Sequence, residues 1–283
     1  MRLIRSGPQG REKPGVLLDG KRWDLSAYFQ DWNSTFFEQS GLETLSSLLK
    51  TDRASLPEVG ESERWASPIA RPGKIVCVGL NFSDHAKESG MPVPNEPVLF
   101  LKATNTVVGP FDDILIPRNS NKTDWEVELG VIIAREARYL NSVDEAAICI
   151  AGYCVSHDVS EREFQLERGG QWSKGKSCDT FNPLGPWLTT CDELPNVSGL
   201  RMTLRVNGRL MQNGSTETMI FSPVKLVHYI SQFMTLEPGD LISTGTPPGV
   251  GLGMKPPQYL RHGDVVELHI DHLGRQRQMC KQV

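Results

Sequence analysis

The stretch TDWEVELGVII, residues 123–133, alternates as a half-buried strand does. Side chains at i and i+2 of a strand point to the same face. Val127, Leu129, Val131 and Ile133 therefore share one apolar face, and Glu126 and Glu128 stand side by side on the other. Two neighbouring carboxylates at the edge of a core repel one another and lose hydration unless a positive charge lies between them. A hard divalent cation with oxygen ligands meets that need. The same pattern also fits an amphipathic strand with a solvated acidic face, because Glu-X-Glu is common.

Working outward, AGYCVSHDV (151–159) reads as a second strand that ends on Asp158, a carboxylate placed to join the first two. It also fits an ordinary turn acid. His157 beside it is read as structural, since one imidazole among three acids suits magnesium or manganese better than zinc. SEREFQLERGG then predicts a helix start with Ser160 as N-cap. NFSDHAKESG (81–90) follows the apolar run IVCVGL (75–80) and sets His85 and Glu88 at i, i+3. On a helical turn a carboxylate beside an imidazole orients the ring and raises its basicity, as a general base requires. A surface His–Glu pair has the same spacing. The punctuation Gly90, Pro92, Pro94 after it suits a mobile lid. Lys174 and Lys176 lie in a glycine-punctuated loop, where a lysine is either solvated or available to an anion. TGTPPGVGLG (244–253) lacks both the Walker ending and the dinucleotide spacing, so it does not argue for a nucleotide.

Short strands with Gly and Pro turns dominate the remainder: residues 97–102, 200–212, 240–245, 264–271 and 275–279. Asp19-Gly20 and Asn207-Gly208 predict hairpin turns. Helices are few: 41–50; 142–150, with Ser142 and Glu145 as a capping box; and 222–234, with Ser222 as N-cap and Pro223 at the first position. This predicts a β-rich α+β fold of mixed sheets, rolled like a barrel. SPIARPGKI (67–75) reads as a linker, giving a small N-terminal domain (1–68) and a larger one (69–283). The net charge of −4 and the absence of a basic block argue against nucleic acid. No apolar run approaches the ~20 residues of a membrane span, and the N-terminus shows no signal peptide. Six scattered cysteines without CxxC pairs fit reduced, cytoplasmic thiols.

VGLNFSDHAKE, KTDWEVELGVII, SHDVSEREFQ, GKSCDTFNPLGPW and STGTPPGVG, in this order, resemble the fumarylacetoacetate hydrolase family over residues 70 to 283. The N-terminal stretch is similar to a bacterial subgroup that handles sugar-derived keto acids, the 2,4-diketo-3-deoxy-L-fuconate and L-rhamnonate hydrolases. The resemblance implies a barrel-like catalytic domain that binds Mg²⁺, with Mn²⁺ as a substitute, through Glu126, Glu128 and Asp158. It implies water activation by His85 and Glu88, an active-site Lys176, and substrate contacts at Arg162, Gln165 and Thr246. Phe82 stands where many members carry tyrosine, at a further substrate position. The implied activity is hydrolysis of the C3–C4 bond of a small-molecule 2,4-diketo acid, releasing pyruvate and, from a sugar-derived substrate, lactate. Acylpyruvase, oxaloacetate decarboxylase, ureidoglycolate lyase and diacid hydratase activities are the alternatives within the family. A non-catalytic metal-binding scaffold would have lost a key residue, and none is lost. The resemblance further implies a homodimer, and the thiol pattern a cytoplasmic location.

Overall fold

The computed structural model describes every residue except 52–54 and 89–91, and all the remaining side chains except those of His85, Ala86 and Glu88. Strands outnumber helices, as expected. Nine strands form one mixed sheet, in the order Lys21–Asp24, Lys13–Leu18, Arg2–Ser6, Leu188–Thr190, Ile150–His157, Val127–Ile133, Leu241–Ser243, Ile75–Gly79 and Val98–Lys102. A five-stranded sheet is built from Arg209–Ser215, Arg201–Val206, Val265–Ile270, Gly274–Gln282 and Ile114–Ile116.

The alternation read in residues 123–133 sorts side chains onto two faces. Val127, Leu129, Val131 and Ile133 enter one hydrophobic cluster with Met202, Leu204, Val266, Leu268 and Ile270 of the smaller sheet. Ile132 enters a second cluster with Cys154, Leu241, Leu3, Val16, Trp32, Phe36 and Leu45. Each fully buried Val, Leu or Ile contributes roughly 1.5–3 kcal/mol, so this strand, buried at every position, is fixed from both sides.

Both hairpin turns form where the dipeptides placed them. Asp19 and Gly20 (φ 51° and 79°) and Asn207 and Gly208 (51° and 79°) all take positive φ, as tight hairpins need. The N-terminal hairpin does not make a sheet of its own. Arg2–Ser6 pairs with Leu188–Thr190, so the strands Arg2–Ser6, Lys13–Leu18 and Lys21–Asp24 continue the nine-stranded sheet.

Three helix expectations need correction. The 142–150 helix stops at Ala147, because Ile150 already starts a buried strand. Its Ser142 side chain caps the Glu145 N–H, but the Glu145 carboxylate reaches the N–H of Asn141 rather than of Ser142. The 222–234 helix covers Pro223–Ile230, and the Ser222 side chain makes no capping bond. Ser160 caps no helix: Ser160–Glu161 pairs with Thr123–Asp124, the Ser160 hydroxyl donates to the Asp158 carbonyl, and a π-helical turn, Glu163–Glu167, follows. The cause is Glu161, whose carboxylate is buried and accepts from the Thr123 hydroxyl (3.1 Å) and the Lys122 N–H (3.2 Å). Among the described residues no helix is long and apolar enough to cross a membrane.

Candidate active site

Sheet register assembles the acidic cluster. Val127–Ile133 runs antiparallel to Ile150–His157 with Glu128 opposite Ser156 and Val127 opposite His157. One step further the Asp158 N–H donates to the Glu126 carbonyl at 3.1 Å, which sets Asp158 level with Glu126. Period 2 turns Asp158 to the same face as Glu126 and Glu128. Carboxylate oxygens of the three residues lie within 4.8 Å of one another, and all three are buried.

Positive charge surrounds them. Lys176, on the short helix Ser173–Lys176, donates to Glu126 Oε2 and Asp158 Oδ2, each at 2.7 Å. Arg162 donates from Nη2 to Glu126 Oε1 at 2.6 Å, from Nε to Asp124 Oδ2 at 2.8 Å, and from Nη1 to Gln165 Oε1 at 3.0 Å. Lys102 donates to Asp158 Oδ1 and to the carbonyls of Phe181 (2.8 Å) and Val159 (3.2 Å). Its side chain is wholly buried.

The charges divide unevenly. Burial alone would raise the Glu126 pKa, but Lys176 and Arg162 overcome it and hold the carboxyl at about 2. Burial would likewise lower Lys176, but Asp158 and Glu126 raise it above the ordinary lysine range. Glu128 goes the other way. Burial, then Asp158, then Glu126 push its carboxyl well above the ordinary range. Its opposing support is the Lys176 charge and the Gly245 N–H, which donates to Glu128 Oε2 at 3.0 Å. Gly245 has φ 97°, a conformation that favours glycine and aims this N–H at the carboxylate. A carboxylate repelled by two neighbours and incompletely compensated is what a divalent cation would relieve, so the cluster fits an all-oxygen metal site.

Glu126, Glu128, Arg162, Gln165, Lys176 and Thr246 line a single cleft of about 490 Å³. Its other walls are largely apolar, with Val78, Leu80, Phe100, Trp172, Val250 and Leu252, and Lys255 also lines it. Thr246 Oγ1 donates to the Val127 carbonyl (2.9 Å) and accepts from Gln212 Nε2 (2.8 Å), while Gln212 Oε1 accepts from the Val127 N–H (2.9 Å). Phe82 lies elsewhere: it is fully buried in the larger hydrophobic cluster and does not line the cleft. The backbone of Ser83–Glu88 is helical, but the side chains of His85 and Glu88 lie outside the described set, as do residues 89–91 of the expected lid. His157 is buried. Burial lowers its pKa to about 3, so it stays neutral, with Nδ1 3.1 Å from Gln278 Oε1.

Sequence reading missed Lys102, Asp124 and Gln212. Asp124 was legible: it lies two residues before Glu126, on the same face by the same period. Lys102 ends the edge strand Val98–Lys102, where lysine ordinarily points to water.

The profile named fumarylacetoacetate (FAA) hydrolase C-terminal matches residues 74–281. The chain belongs to this family. It is 52% identical over 285 residues to a presumed hydrolase of Burkholderia multivorans, with 99% of each chain covered. Among solved structures it is similar to maleylpyruvate hydrolase from Sphingobium sp. SYK-6, crystallised with manganese(II) and pyruvate (TM-score 0.82, 26% identity, 100% of this chain and 99% of that one). It is also similar to 2-hydroxyhepta-2,4-diene-1,7-dioate isomerase from Mycobacterium marinum (TM-score 0.76, 29% identity, 100% and 98%). The chain thus sits in a superfamily of hydrolases and isomerases, and its buried acidic triad is a set of ligands that could hold a metal ion.

Proposed function

We propose that the protein is a Mg²⁺- or Mn²⁺-dependent hydrolase that cleaves the C3–C4 bond of a 2,4-dioxo acid and releases pyruvate. The observation that carries this reading is the convergence of Glu126, Glu128 and Asp158, two of which line a cleft whose cations, Lys176 and Arg162, are buried and already in contact with that cluster. A solved relative crystallised with manganese and pyruvate supports it.

A divalent cation held by the three carboxylates would supply Lewis-acid polarisation of the 2-oxo group. The chain's own groups do the rest. Lys176 and Arg162 offset the negative charge that develops on the pyruvyl fragment as the bond breaks, and such preorganised charge acts most strongly in a dry cleft. His85, oriented by Glu88, takes a proton from water. The oxygen of that water forms a bond to C4, the C3–C4 pair passes to C3, and the proton returns there to give pyruvate and a carboxylic acid. Phe100, Trp172, Val250 and Leu252 enclose the tail beyond C4. A sugar-derived tail, released as lactate, is the narrower proposal. A cytoplasmic location and assembly as a homodimer belong with it.

A panel of 2,4-dioxo acids with alkyl, carboxylate and hydroxylated tails, assayed for pyruvate with Mg²⁺, tests the reading. Release from at least one is expected. Isomerisation or decarboxylation of the panel without C3–C4 cleavage would replace the hydrolase reading with one of the family's other chemistries.

A further inference from the structure

Asp124 lies outside the acidic triad, yet it is wholly buried and its two carboxylate oxygens collect partners from three segments of the chain. Oδ2 accepts from Arg162 Nε (2.8 Å) and from the Leu252 N–H (3.0 Å). Oδ1 accepts from the Gly251 N–H (2.7 Å) and from the Trp125 N–H (2.8 Å). Arg162 is the residue whose remaining nitrogens hold Glu126 and Gln165. Gly251 and Leu252 belong to the loop that supplies Val250, Leu252, Gly253 and Lys255 to the cleft wall. A Cβ at Gly251 would fall 2.7 Å from Asp124 Oδ1 and 2.0 Å from the Gln258 carbonyl, so the backbone there approaches the carboxylate as only glycine allows.

Resting on the functional reading above, we propose that Asp124 is a positioning residue for substrate binding. It fixes the guanidinium of Arg162 and, with the same carboxylate, registers the 250–255 wall loop against it. The head of the substrate, at Arg162, and its tail, along the wall, are thereby held at one spacing. A buried carboxylate shared between a guanidinium and three backbone amides is a rigid joint, because releasing any partner leaves a buried polar group unpaired.

The test uses oxalate, a probe for the pyruvyl end, binding to the Mn²⁺-loaded protein by calorimetry, with Mn²⁺ affinity measured separately by electron paramagnetic resonance. Asp124→Asn keeps the shape but turns an amide or a neutral oxygen toward Arg162. It should weaken oxalate about 10–100-fold, the usual loss for a hydrogen bond to a charged group, with Mn²⁺ affinity changed less than about threefold. A purely structural role would weaken both together. Arg162→Lys should weaken oxalate similarly, and the double variant should bind little worse than the weaker single one. Oxalate binding within twofold of wild type in Asp124→Asn, or losses that multiply in the double variant, overturns the proposal. Should Asp124→Asn fail to fold, amide exchange in the wild-type protein decides. Gly251 and Leu252 should slow further when oxalate binds, and unchanged exchange overturns the proposal. A wild-type protein that binds neither Mn²⁺ nor oxalate would defeat the functional reading itself, and this inference with it.

Discussion

Lys176 Nζ stands 2.7 Å from an oxygen of Glu126 and 2.7 Å from an oxygen of Asp158, so one ammonium bridges two of the three clustered carboxylates. It is held there by both acids.

Replacing that bridge separates binding from chemistry. Lys176→Met removes a cation from the cluster, so Mn²⁺ affinity should hold or rise while kcat falls about 10²–10³-fold, the usual loss for a charge-stabilising donor. Steady-state rates beside Mn²⁺ titrations read the two effects. A parallel loss of metal and activity would make Lys176 a structural support only.

Glu128 predicts the pH behaviour of the metal-free protein. Its folded pKa is raised, so the stability contributed by its bound proton is present at low pH and lost as pH rises through the folded value. Glu126 has the opposite sign. With its pKa lowered to about 2, its contribution is present above about 4.5 and lost as pH falls toward 2. Thermal denaturation should therefore show the metal-free protein weakening as pH rises through the raised Glu128 value. Mg²⁺ should reverse that weakening, and calorimetry in buffers of different ionisation heat should detect about one proton released on metal binding below the raised pKa. Stability that does not fall as pH rises, with no proton release, would contradict this charge assignment.

Lys102 holds Asp158 through Oδ1, the oxygen that Lys176 leaves free. Lys102→Met leaves Asp158 and the Phe181 carbonyl short of a buried donor. The expected cost is about 3–5 kcal/mol of stability, with weaker Mn²⁺ binding because Asp158 Oδ1 loses its partner. Urea denaturation with and without Mn²⁺ measures both. An unchanged midpoint would show that the lysine contributes nothing net.

These residues also show what the sequence could reveal. Period 2 in residues 123–133 was enough to place Glu126 and Glu128 together, and dipeptides with a specific φ requirement located both hairpins. Asp158 joins them through strand register, which no local pattern encodes, although a strand ending on an acid hinted at it. Ser160 misled because Ser followed by acidic residues is a good N-cap signal, whereas tertiary pairing with Thr123–Asp124 and the buried Glu161 override it. Lys102 stayed hidden because its burial depends on Asp158, 56 residues away.

The proposed water-activation step rests on His85 and Glu88. His85→Ala and Glu88→Ala should each lower kcat about 10²–10⁴-fold with Mn²⁺ affinity nearly intact. The double variant should lose little more than the worse single one, since Glu88 acts through His85. Independent, multiplying losses would separate the two residues, and near wild-type rates in both would remove them from the mechanism.

The most direct test of the central claim is a titration of Mn²⁺ into rigorously metal-free protein, following bound metal by electron paramagnetic resonance and pyruvate release from a 2,4-dioxo acid in the same samples. One ion should bind per chain, activity should rise in proportion to occupancy from a baseline near zero, and Glu126→Gln, Glu128→Gln and Asp158→Asn should each lose both signals. Full pyruvate release without metal, or tight Mn²⁺ binding that survives all three substitutions, would contradict the account.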